Sequence, residues 1–297
     1  MTDAPTTQSA QDASIAPGRY ENRKRALRAF VRNRGAVISL FVLVVLMGTS
    51  LLAPWLTPYD PEKINIMQRL QSPSAQHWLG TDEVGRDVFS RLLFGSRVSL
   101  VVGLVSATLS VLIGVLVGGL SGYFGGLLDA FLMRITDGML AIPIFFFLLV
   151  VMAVFGSGLT QIVIVISLTT WMPIARIVRG EILRVRTLPY VEAAHALGAR
   201  QLHVITAHLL PQTIPAVIVA ATLGVANAIL LESALSYLGL GIQPPIPSWG
   251  NMLQGAQAYV WNQPLLALWP GLLIFIAVMA YNSLGDGIRD ALDPGAG

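Results

Sequence analysis

Long uncharged runs dominate the hydrophobic pattern of this chain. Ala36–Leu56 carries no charge over 21 residues, Val98–Leu128 none over 31, and Gly138–Ala175 none over 38. A helix crossing a bilayer needs about 20 apolar residues, so the first two runs each supply one span. The third is too long for one. Gly156-Ser157-Gly158 divides it, which predicts a helical hairpin, Leu132–Phe155 going out and Thr160–Val178 returning. Pro143 is placed to kink the first arm and Pro173 the second. Gln212–Leu231 and Leu265–Leu284 supply two more spans. None of these runs shows strand alternation, and only helices or closed barrels satisfy the backbone in lipid. The expectation is an all-α membrane protein with six transmembrane helices.

The polar flanks orient the spans. Arg19–Arg34 holds seven Lys/Arg (Arg19, Arg23, Lys24, Arg25, Arg28, Arg32, Arg34) against one acid, Glu21. Arg176–Pro211 holds five arginines, at 176, 179, 184, 186 and 200. Positive charge collects on the cytoplasmic side, so both termini are expected inside. Thr57–Arg97, with five acids matching five Lys/Arg, is expected outside as a loop rich in proline. Residues 1–35 are expected to form a disordered stretch and then a basic cytoplasmic one, 36–56 the first span and 57–97 an external loop. Residues 98–285 form a five-helix core containing a cytoplasmic segment at 187–211 and an external loop at 233–264. Residues 286–297 form a cytoplasmic tail carrying Asp286, Arg289, Asp290 and Asp293.

Composition agrees with this picture. Charged residues make up 12% of the chain, about half the level of soluble domains, and the mean hydropathy is +0.67. The absence of cysteine excludes disulfides and thiolate chemistry. The basic N-terminal cluster adjoins a span, which makes it a membrane anchor rather than a nucleic-acid site. The polar tail before it and the length of the apolar run argue against a cleaved signal peptide.

Candidate chemistry is sparse. There is no phosphate-binding Walker sequence, and the histidines at 77, 195, 203 and 208 make no HExxH pair. Arg134, Asp137 and Glu232 fall near span ends, where ionisable groups serve in ion relays or simply pair within the bundle. The stretch Gly80-Thr-Asp-Glu-Val-Gly-Arg-Asp87 reads as a solvated turn leading into a helix. Leu238–Leu253, with Trp249 and several prolines, reads as an external connector or a stiff interfacial lid.

One polar segment stands between apolar runs: Glu192-Ala-Ala-His-Ala-Leu-Gly-Ala-Arg-Gln-Leu-His-Val-Ile-Thr-Ala-His-Leu-Leu-Pro211. It predicts two short helices, Tyr190–Leu197 and Arg200–Leu209, meeting at Gly198, with Pro211 as the boundary to the next span. Glu192, Ala193, Ala194, Gly198, Leu210 and Pro211 resemble the EAA loop of permease subunits of ATP-binding-cassette (ABC) importers. Together with His77–Gly103, Leu235–Leu253 and Ala267–Pro294, this segment makes the chain resemble the C-type permease of the dipeptide/oligopeptide/nickel branch, from about Arg28 to Pro294. His208 departs from the broad pattern, which has an aliphatic residue there.

The resemblance implies a type I ABC importer permease fold in the bacterial inner membrane. It implies as partners a second, related permease subunit, two cytosolic ATPases and an external solute-binding protein. ATP and Mg would be bound by the ATPases and no cofactor by this chain, so the chain itself is not expected to be an enzyme. The loop at 187–211 would dock on the ATPases, Gly198 allowing the tight turn and Ala193 and Ala194 close approach. The expected cargo is di- or oligopeptides, with nickel chelates, glutathione or another solute of the branch as alternatives and no substrate-contacting residues assigned. A different class of function, ion-coupled secondary transport, would use Asp137 or Glu232.

Overall fold

The computed structural model describes residues 27–292; the predicted disordered tail, the first basic residues (Arg19 to Arg25) and Asp293 lie outside the described residues. The described chain is helical, with one isolated β-bridge between Thr81 and Asp87. Five helices are long and apolar enough to cross a membrane: α1 (Arg34–Leu51), α2 (Val88–Phe124), α5 (Leu159–Val185), α7 (Gln201–Tyr237) and α9 (Leu265–Leu292). Between α2 and α5 lie α3 (Gly126–Leu140) and α4 (Ile144–Phe155). Two short helices, α6 (Pro189–Ala196) and α8 (Trp249–Ala256), lie in the connections.

The third predicted span is therefore broken rather than kinked. Helices α3 and α4 bend by 85°, and six crossings result only if this pair counts as one. The cause is local: Pro143 has no N–H to donate, and its ring disfavours helical backbone at Ile142. Alone, the 12 residues of α4 reach about 18 Å, short of the hydrocarbon core of about 30 Å.

Helices α2 and α5 form the tightest pair. A Cβ added at Gly118 would lie 2.3 Å from the Ala175 carbonyl oxygen, and one at Gly114 would lie 2.7 Å from Ile174. Small residues let the two backbones touch, which is how helices associate where lipid removes the hydrophobic drive. A buried cluster including Leu43, Leu100, Val225, Ile229, Trp249 and Tyr281 joins α1, α2, α7, α8 and α9. Phe41, Leu112 and Phe275 of the long helices, and Phe146 and Val154 of α4, are exposed, the surface expected of helices in hydrocarbon.

Polar contacts define two ends of the bundle. Asn33, which caps α1 through Ala36 N–H at 3.2 Å, also donates to Asp290 near the end of α9. Both described ends of the chain thus lie on one side, together with Arg176 to Arg200. This is the Arg-rich side. The opposite, long-loop side carries Thr57–Asp87 and the connection from α7 to α9.

Candidate functional site

On the Arg-rich side, α5 passes through Arg186 into α6, and α6 ends in a glycine cap. Gly198 has φ +77°. Leu197 N–H donates to Ala193 O and Ala199 N–H to Ala194 O, both at 3.0 Å. The second of these bonds returns to the last turn of the helix across a left-handed residue, as in a Schellman cap. Nothing lies within 4 Å of a Cβ built at Gly198, so its backbone conformation rather than crowding favours glycine. Val191, Val204 and Leu209 are buried against Ile174, Val178, Ile182 and Val185 of α5. The tip faces outward: Leu197 is 88% and Leu202 72% exposed. The segment is a hard-anchored knob with an apolar tip.

The residues singled out in the sequence fall as follows. Glu192, Ala193 and Gly198 are exposed, and Ala194 is half-buried. Leu210 is half-buried and Pro211 exposed, and both lie inside a continuous helix rather than at a boundary. That differs from the expectation of two separate pieces ending at Pro211. Pro211 cannot donate to Ala207, and the helix absorbs the missing bond by widening to a π-turn over Val204–Leu209, with Leu210 N–H reaching Ile205 O. His203 and His208 pack ring to ring at 5.7 Å, and His208 lies 6.0 Å from Tyr190. No cluster of three metal-ligating side chains occurs among the described residues.

The sequence reading missed what braces this knob. Arg179 of α5 clasps Asp129 of α3 with two bonds of 2.6 Å, and Ser121 also donates to Asp129. Arg186 donates to Gly122 O at 3.1 Å, and Arg176 pairs with Asp137. The forked guanidinium fits a carboxylate from two directions, so α2, α3 and α5 are tied together immediately before the chain enters α6. Asp137 is consequently half of an ion pair. The signal available in the sequence was the alternation of Asp129, Arg134 and Asp137 with Arg176 and Arg179, but the pairing depends on the broken span.

Glu232 is fully buried within the bundle. Its carboxylate accepts from Ser99 at 3.0 Å and Ser236 at 2.7 Å, with Ser233 at 3.4 Å. Ser99 Oγ also accepts from Trp249 N–H at 3.2 Å, and Ser96 Oγ takes the Trp249 indole N–H at 3.1 Å. Hydroxyls rather than a cation satisfy this acid, and the network fastens α8 to α2 and α7. Trp249 is buried with it, which corrects the expectation of an interfacial lid. A capping box between Ser248 and Asn251 starts α8.

The 80–87 stretch is likewise built in rather than solvated. Asp82 accepts from Arg86 Nε at 2.6 Å and lies 3.4 Å from Arg91 Nε, and His77 meets Asp87 at 2.9 Å. Thr81, Asp82, Arg86, Asp87 and Arg91 are all buried. Asp87 caps α2 through Ser90 N–H at 2.8 Å, so α2 begins ten residues before the expected Val98.

Comparison with known proteins agrees with these features. The family described as "Binding-protein-dependent transport system inner membrane component" matches residues 110–297, and "N-terminal TM domain of oligopeptide transport permease C" matches residues 23–73. A "Putative peptide permease protein" of Brucella suis biovar 1 (strain 1330) is 43% identical over 92% of this chain and 91% of its own. The nickel transport system permease protein NikC of Escherichia coli (strain K12) is 40% identical over 89% and 96%. Among solved structures, a chain of the MetNI methionine ABC transporter in an inward-facing conformation shares the fold. Its TM-score is 0.56 at 22% identity, over 68% of this chain and 96% of that one. With its apolar helices, the chain is a multi-pass inner-membrane protein. It belongs to the family of binding-protein-dependent transport system inner membrane components, as a permease subunit of an ABC importer.

Proposed function

We propose that this chain forms half of the translocation path for di- and oligopeptides in an ATP-driven importer, coupled to cytosolic ATPases through residues 187–211. The observation that carries the reading is the knob itself. Its tip at Tyr190, Leu197 and Leu202 is apolar and exposed, while Val191, Val204 and Leu209 lock its base into the bundle. A protein inserting such a tip into a groove moves as one body with α5 and α7. Glu192, Ala193 and Ala194 lie on the first helix of the knob, Gly198 makes its turn, and Leu210 and Pro211 continue it into a span. The Arg-rich side, with both described ends of the chain, then faces the cytosol. A second permease subunit completes the path, and a solute-binding protein delivers cargo to the long-loop side. ATP and Mg act in the ATPases.

The peptide reading draws on the oligopeptide permease match at residues 23–73 and on the Brucella relative. Nickel chelates and glutathione are the competing cargoes, because relatives named for each are 40% and 39% identical to this chain. Ion-coupled transport has less support, since Asp137 is paired with Arg176 and Glu232 with hydroxyls. The test is uptake by the complex reconstituted in liposomes with its binding protein, using labelled dipeptide, nickel chelate and glutathione in parallel. ATP-dependent accumulation of peptide is expected. Accumulation of the chelate or of glutathione alone would reassign the cargo, and uptake driven by an ion gradient without ATP would overturn the mechanism.

A further inference from the structure

The break between α3 and α4 opens a cavity of about 360 Å³. Met139, Pro143 and Phe147 line it from the broken span, Thr169 and Met172 from the middle of α5, and Asn227 from α7. This volume falls in the range of small-molecule sites, about 300–1,000 Å³. Non-helical backbone at membrane depth persists where it is covered by protein or lines an aqueous cavity, and discontinuous helices of this kind frame solute sites near the midplane of transporters.

Asn227 adds an amide to this lining. It lies within a run of α7 that is otherwise apolar from Leu223 to Leu231 except for Gly224. Its side chain is exposed on the cavity side and makes no hydrogen bond to the described residues. The hydroxyl of Thr169 is already given to Val165 O at 2.8 Å, leaving its lone pairs. A carboxamide offers a donor and an acceptor together, the complement of a peptide group. No charged side chain lines the cavity, whereas a bare divalent cation calls for carboxylate or imidazole ligands. Met139 and Met172 are unbranched and deformable, which suits a solute whose side chains vary.

We propose that this cavity is a solute-contact site in the translocation path, with Asn227 bonding the uncharged amide backbone of a peptide-like solute while Met139, Phe147 and Met172 accommodate its side chains. The proposal rests on the peptide reading above.

The chain has no cysteine, so Asn227→Cys and the control Leu127→Cys, exposed at the Arg-rich end and outside the cavity, each supply this chain's single thiol. The full complex in liposomes would be treated with a charged, water-soluble thiol reagent during turnover, with and without dipeptide-loaded binding protein. Asn227→Cys is expected to react and to be slowed by dipeptide, while Leu127→Cys reacts at a rate unaffected by it. Asn227→Leu is expected to cut ATP-dependent dipeptide uptake about tenfold, the worth of one lost hydrogen bond, with subunit composition unchanged.

Labelling that is absent or indifferent to dipeptide would overturn the site, and so would uptake by Asn227→Leu at the unsubstituted rate. Loss of the second permease from the Asn227→Leu complex would mark Asn227 as a subunit contact and also overturn it. Failure of the unsubstituted complex to move dipeptide while moving a nickel chelate would instead remove the peptide reading itself.

Discussion

Gly118 and Gly119 are adjacent in sequence but should respond to the same substitution with opposite signs. A Cβ at Gly118 would sit 2.3 Å from the Ala175 carbonyl oxygen and 3.0 Å from the Ala175 carbonyl and α carbons. Unstrained carbon contacts lie at about 3.5–4.0 Å, so Gly118→Ala forces α2 and α5 apart by on the order of 1 Å. The obstacle is backbone and cannot rotate away. Overpacking of this kind costs about 1–3 kcal/mol. At Gly119 the nearest atom, Ile182 Cδ1, is 4.0 Å from the added carbon, and Gly119→Ala gains helix propensity of about 1 kcal/mol. The two variants should differ by about 2–4 kcal/mol, which for a chain of this size separates their apparent Tm values by about 5–15 °C. The assay heats the assembled complex in mild detergent and follows how much of the tagged chain remains soluble. Because Arg186 reaches Gly122 across the same helix pair and Arg179 holds Asp129 of α3 beside it, Gly118→Ala should also weaken coupling between ATP hydrolysis and uptake. Equal Tm values for the two variants would refute the close α2–α5 contact.

At Gly198 the cost comes from backbone alone: a β-branched residue at φ +77° loses about 1–2 kcal/mol. Gly198→Val should therefore uncouple ATP hydrolysis from uptake without preventing membrane insertion, and Gly198→Asn should do so less; normal uptake by Gly198→Val would remove the role given to this turn. Glu232→Leu takes the acceptor from Ser99 and Ser236, a loss of about 1–3 kcal/mol for each stranded buried hydroxyl, whereas Glu232→Gln keeps a carbonyl there. Heat resistance should fall much more for Leu than for Gln, with ATP-driven uptake retained by Gln. Abolition of uptake by Glu232→Gln at normal stability would instead point to an ion-coupling carboxylate.

Much of the helical layout was legible because uncharged length is a direct consequence of the membrane. Misreadings arose where tertiary partners changed what a residue costs. Arg91 made the chain before Val98 look like loop, yet with Asp82 and the Pro61 carbonyl as partners it is buried in the first turn of α2. Pro143 was visible as a kink, but the size of the bend depends on how α3 and α4 pack afterwards. Pro211 looked like a boundary because a π-turn that rescues the helix leaves no mark in composition. Of the glycines between 118 and 126, Gly118 and Gly122 meet α5, while Gly126 meets nothing within 4 Å; the helical face decides, and the count does not reveal it. Within the polar segment, Gly198 was readable as a cap. The burial of Val191 and Val204 beneath the exposed tip required the fold, as did the pairing of Asp129 with Arg179. Asn227 gave no motif at all, since a lone amide in an apolar run signals only through what surrounds it in space.

The central claim, that residues 187–211 dock on an ATPase, is tested most directly by cross-linking from the tip. With no cysteine of its own to interfere, the chain carrying Ala193→Cys, or separately Leu197→Cys, would be expressed with its native partners and treated with a short thiol-to-amine reagent in the membrane. The account predicts a product containing one ATPase subunit from either position, with a yield that changes on ATP binding, and none from Trp261→Cys at an exposed position between α8 and α9. Cross-links from Trp261 to the ATPase with none from the tip would contradict both the docking surface and the orientation of the bundle.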